Sequence, residues 1–238
     1  MKKCYTLSLL LAVCLWQGCD TRQQQTANTD MMVLIDRTDS LRDYPTVKSI
    51  LEPLDVQHNK WRGIRITFSA ISDKDLNDRI VVELPPQSEW NGNIVEREAQ
   101  IRLFIKQVQS ALDNMRSLPT CTHSIVYRAI ARDANSLTAS HATNKYLLVY
   151  SDLYENNDDL NFYRLSFIRE LKQTPDKVER RIIKSMPLES LAHIKIWLLY
   201  NPTSFADNNR FMPIAELYKH LFENHGAQVH IATTFELP

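Results

Sequence analysis

Met31-Met32-Val33-Leu34-Ile35-Asp36 decides how the rest of the chain is read: five apolar residues in an unbroken row, closed by an aspartate. A half-exposed strand would alternate apolar and polar residues. A continuous run of this length fits a strand buried on both faces, as in a parallel sheet covered by helices on each side. The pattern recurs at Tyr146-Leu147-Leu148-Val149-Tyr150, followed by Ser151-Asp152, and at Ile194 to Tyr200. Ile64, Ile66, Phe68 and Ala70 alternate with Arg65, Thr67 and Ser69, a period of two that predicts another strand. An Asp- and Asn-rich turn leads from it into Ile80-Val81-Val82-Glu83-Leu84, its expected hairpin partner, and Pro85-Pro86 ends that strand.

Helical spacing fills the gaps. Residues 46–54 predict a short helix limited by Pro53. Ile101, Phe104, Ile105, Val108, Ala111, Leu112 and Met115 mark one face of a helix over Ile94–Met115, before Pro119. A second helix is expected from Ile125 to Ala134, and one or two broken near Pro175 within 164–184. Pro213 to His225 reads as a helix closed by Gly226, with a last strand over Val229–Thr233. Strands alternating with helices give an α/β domain, a Rossmann-like three-layer sandwich with a mostly parallel central sheet and one antiparallel edge strand. Phe162, Tyr163, Phe167 and Trp197 are expected in its core; Trp61 and Trp90 read equally well as core or as exposed contacts.

The first residues belong to a different class. Lys2 and Lys3 precede the apolar run Leu7–Leu15, then come Gly18-Cys19 and a polar, Gln-rich stretch. So short an apolar run reads as a signal peptide rather than a permanent membrane span. A small residue before a cysteine resembles a bacterial lipobox, although Trp16 stands where that pattern prefers Leu. The resemblance implies cleavage after residue 18, acylation of Cys19 and a membrane-anchored lipoprotein of the bacterial cell envelope. Residues 19–30 would be a flexible tether and 31–238 one domain. Of four cysteines, Cys4 and Cys14 leave with the leader, so Cys121 has no partner for a disulfide and is expected as a buried apolar residue. Lys+Arg and Asp+Glu balance at 28 each, which gives no basic footprint for nucleic acid. The seven histidines form no metal-binding motif, and His123 is expected at the surface or in a supporting role.

Ligands of open parallel sheets bind at the carboxyl ends of the strands. There lie Asp36-Arg37-Thr38-Asp39-Ser40 after the first strand and Ser151-Asp152 after the central one, with the loop Thr120-Cys121-Thr122-His123-Ser124 between them. Asp36, Thr38 and Ser40 resemble the D-x-S-x-S element of the metal-ion-dependent adhesion site in von Willebrand factor A domains. Asp152 stands where that family has its second aspartate, and Thr122 or Ser124 could supply its threonine. Thr38 replaces the family's first serine, and Leu153 replaces the glycine that commonly follows the second aspartate. The resemblance covers nearly the whole chain after the tether. It implies a binding module, not an enzyme, that holds Mg²⁺ or Mn²⁺ through hard oxygen donors and takes an acidic residue of a protein partner as the last ligand. Asp39 is expected to be solvated. Two other readings compete. One is a degenerate scaffold of the same fold that binds partners without metal. The other is a phosphohydrolase similar to the haloacid dehalogenases, which lacks that family's second aspartate two residues after the first and finds only Asp158-Asp159 as a weak counterpart of its later acidic pair.

Overall fold

A computed structural model describes residues 28–37, 44–73, 78–157 and 160–237. The leader, Cys19 and most of the expected tether lie outside them. In chain order the elements are β1 (Thr29–Asp36), α1 (Val47–Leu51), β2 (Ile64–Ile71), β3 (Ile80–Leu84), α2 (Ile94–Ser117), α3 (Val126–Thr138), β4 (Asn144–Tyr150), α4 (Leu165–Gln173), α5 (Pro175–Ile183), β5 (Ile194–Leu199), α6 (Phe205–Glu223) and β6 (Gln228–Ala232). They build the three-layer sandwich expected from the sequence. The six strands run in the order β3-β2-β1-β4-β5-β6, all parallel except β3, which pairs antiparallel with β2 at one edge.

The unbroken apolar runs are explained by the two faces of the sheet. Met31, Val33 and Ile35 of β1 pack with Ile50 of α1 and with Ile101, Phe104 and Val108 of α2. Met32 and Leu34 point the other way, into the core formed with α3, α4, α5 and α6 through Ile130, Phe167, Val178 and Tyr218. Successive side chains of a strand alternate faces, so a strand with helices on both sides carries apolar residues at every position.

Several boundaries differ from expectation. Thr29 and Asp30, placed in the tether by sequence, are buried in β1 beside β2 and β4. The helix expected to begin at Pro213 begins at Phe205, because the Ser204 hydroxyl accepts from the Asp207 N–H and caps it there. Pro213 then lies inside the helix. Gly226 does close it, with φ of +94° and its N–H donating to the Glu223 carbonyl. Tyr163 is exposed rather than core, Trp90 is 95% exposed, and Cys121 is half-buried rather than buried.

One corner is knitted by a charge. Arg97, in the first turn of α2 and fully buried, donates to the carbonyls of Lys60 (2.5 Å), Arg62 (2.8 Å) and Pro85 (2.7 Å), and to Gln100 Oε1 (3.1 Å). It joins the segment before β2 to the segment after β3. At the same corner Gly63 lies so close to Pro86 that a Cβ would collide with its ring. Among the described residues no helix is long and apolar enough to cross a membrane.

Candidate functional site

Because β1, β4 and β5 are parallel neighbours, the residues that follow them emerge together at one end of the sheet. Asp36, the last residue of β1, is 3% exposed. Its Oδ2 accepts a hydrogen bond of 2.5 Å from the hydroxyl of Ser151, the first residue after β4. The same hydroxyl accepts from the Leu153 N–H, and Asp152 Oδ1 accepts from the Tyr154 N–H, each at 2.9 Å. These bonds wind residues 151–154 into a tight loop, with Leu153 at φ +65° although it is fully buried and not a glycine. A left-handed backbone at a non-glycine residue costs about 1–2 kcal/mol and persists only where its surroundings impose it.

Ser124 reaches the same loop. It is fully buried, its hydroxyl donates to the Tyr154 carbonyl at 2.7 Å, and its backbone pairs with Asn156 in both directions. Asp36, Ser124 and Asp152 are thus tied through Ser151 and Tyr154. Thr122 is exposed, and its hydroxyl contacts His123 Nδ1 at 3.0 Å, with no bond to the other three. Thr38, Asp39 and Ser40 fall outside the described residues, as do Asp158 and Asp159.

Two residues at this end escaped the sequence reading. Ile125 stands at the N-cap of α3 and has no side chain that can cap. The buried N–H groups of Val126 and Tyr127, which have no partner within the helix, bond instead to Glu155, at 3.0 and 2.7 Å. Glu155 is 1% exposed, and burial pushes its carboxyl up to about 7, against the pull of those two N–H groups and of Asn157; the charge of Asp36 adds to the rise. An apolar residue where a cap belongs was the available signal that a distant acceptor had to serve this helix. Tyr218 of α6 left no such signal. Its hydroxyl is fully buried, has no hydrogen-bond partner among the described residues, and is raised well above 10 by burial and by the charges of Glu155, Asp36 and Asp152.

No protein-family model matches the chain, and no curated protein sequence does. Among solved structures, the chain is similar to the D319A mutant of the PilB minor pilin from Streptococcus sanguinis, with a TM-score of 0.43 and 10% identity. The likeness covers 89% of this chain and 58% of that one.

Among the described residues, no three carboxylate, imidazole or thiol side chains gather in a way that could hold a metal ion by themselves. A cation here would therefore need hydroxyls as well as carboxylates. Asp36, Asp152 and Ser124 are all hard oxygen donors, suited to Mg²⁺ or Mn²⁺. The Tyr218 hydroxyl, without a partner among the described residues, lies within the field of the Glu155, Asp36 and Asp152 carboxyl groups. The donor set fits such a cation in its chemistry.

Proposed function

We propose that the chain is an exported, lipid-anchored binding module resembling a von Willebrand factor A domain. It holds Mg²⁺ or Mn²⁺ at the carboxyl end of its sheet and, through the metal, an acidic residue of a protein partner. One observation carries the reading: the Ser151–Asp36 hydrogen bond, which ties the aspartate ending β1 to the loop that bears Asp152. The backbone of Leu153 adds to it. That residue stands where the resembled family commonly has glycine, and it takes the left-handed conformation that glycine favours.

In this arrangement Asp36, Asp152 and Ser124 supply oxygens, with Thr38 and Ser40 expected to complete the set. The bound cation supplies an electrophilic centre that accepts a carboxylate from outside. Ser151 orients Asp36, and the turn at Leu153 holds Asp152.

Cation binding should stabilise the folded domain by RT ln(1 + [L]/Kd), about 2.7 kcal/mol at a hundredfold excess over Kd. Millimolar Mg²⁺ or Mn²⁺ should therefore raise the melting temperature by several degrees. Asp36→Ala should abolish that rise, whereas Thr122→Ala should keep it. No rise in the wild-type protein with either metal would leave the metal-free scaffold as the better reading.

A further inference from the structure

The end of the sheet opposite the candidate site carries a second surface. The chain enters the domain there: the N–H groups of Asn28 and Thr29 both donate to the Gly63 carbonyl, and the Gly63 N–H donates to the Asn28 side chain. Next to Gly63 lies the segment between β3 and α2, held by the Gln87 N–H on the Trp61 carbonyl, by Gly92 packed on the Trp61 ring, and by Arg97. This segment presents Trp90, 95% exposed, and α2 begins with Ile94 and Val95, 44% and 70% exposed.

We infer that Trp90, Ile94 and Val95 form a contact with the interfacial layer of a lipid bilayer. The inference rests on the proposed acylation of Cys19. Eight residues lie between Cys19 and Asn28, and the nine steps from one to the other, at about 3.5 Å each, reach roughly 30 Å when fully extended. The point where the chain enters is therefore kept near the membrane, and the residues beside it are the ones that meet lipid. Trp is the side chain best suited to that layer, with an apolar body and one N–H for the headgroups. Glu89 and Glu96 are exposed on the same segment, so the contact depends on apolar insertion and not on attraction to anionic lipid. In this orientation β1 stands away from the membrane, and its eight residues carry Asp36 outward by about 26 Å. The candidate cation site then faces a partner rather than the bilayer.

The test uses the full-length protein processed in cells and placed in zwitterionic phosphatidylcholine vesicles brominated near the headgroup end of the acyl chains. Tryptophan emission should be quenched, and Trp90→Ser, at a site too exposed to affect folding, should lose the quenching. Adding Phe205→Trp to that variant places a tryptophan at the opposite end of the molecule, where residue 205 is 81% exposed, and should add emission that is not quenched. Acylated, vesicle-bound wild type that is not quenched overturns the inference and leaves the lipoprotein reading standing. Absence of acyl label on Cys19 overturns both. Quenching at residue 205 reverses the orientation and overturns it, as does a Trp90-dependent dimer in place of bilayer contact.

Discussion

Replacing Arg97 with Met should cost about 4 kcal/mol of folding stability, read as a fall in the denaturant midpoint with the slope unchanged. Arg97 is fully buried, and its guanidinium serves three backbone carbonyls from two separate segments. Hydrogen bonds to a charged group contribute roughly 1.5–3 kcal/mol each, partly offset by recovering the cost of burying the charge. The methionine fills most of the volume but leaves the carbonyls of Lys60, Arg62 and Pro85 without donors. Arg97→Lys should lose nearly as much, because one ammonium cannot span the three acceptors in the planar geometry of the guanidinium. A loss below about 1 kcal/mol for either variant would mean that water serves these carbonyls equally well.

Glu155 gives the second large effect, visible as a dependence on pH. Its folded pKa, raised by burial to about 7, lies above the usual glutamate value of 4.5. The folded state therefore holds this proton more tightly than the unfolded chain does. The stability it contributes is fully present below the unfolded pKa and is lost as pH rises through about 7. At about 1.4 kcal/mol per unit, the loss across that window is roughly 3.5 kcal/mol. Glu155→Gln keeps the amide oxygen as an acceptor for α3 but cannot ionise. The stability difference between it and the wild type should therefore shift in the variant's favour from pH 5 to pH 8, and other carboxylates cancel in the comparison. Glu155→Ala leaves the Val126 and Tyr127 N–H groups buried without an acceptor and should lose about 2–4 kcal/mol at pH 5. A flat difference curve would show that the two N–H groups, favouring the carboxylate, balance burial, and a slope of the opposite sign that they outweigh it.

The architecture was legible because it follows from local rules. The apolar runs before Asp36 and Ser151 and the run Ile194–Tyr200 fit strands buried on both faces, and the alternation at Ile64–Ala70 announced the strand that pairs with the edge. The start of α6 differs from expectation for an equally local reason: Pro213 suits a first helical turn, but Ser204 and Asp207 form the cap and start the helix at Phe205. At the candidate site, Asp36 and Asp152 were legible from their places after strands. Ser124 and Thr122 could be separated only by long-range contacts, since one touches the Tyr154 carbonyl and the other only its neighbour His123. Glu155, Tyr218 and Arg97 act across elements distant in sequence, and no periodicity records such pairings.

The strand order also bears on how the chain acquires its structure. Its first strand is central, flanked by β2 and by β4, whose closing bond from Ser151 to Asp36 spans 115 positions. While the amino-terminal half stands alone, β1 has one parallel neighbour and an open edge, and its Met32 and Leu34 face lacks the helices α4 to α6 that cover it. Non-local parallel pairing of this kind slows folding, because loop closure must precede the contacts that reward it. A chain whose middle waits for its second half stays unfolded longer as it is made, the state that the proposed export would require.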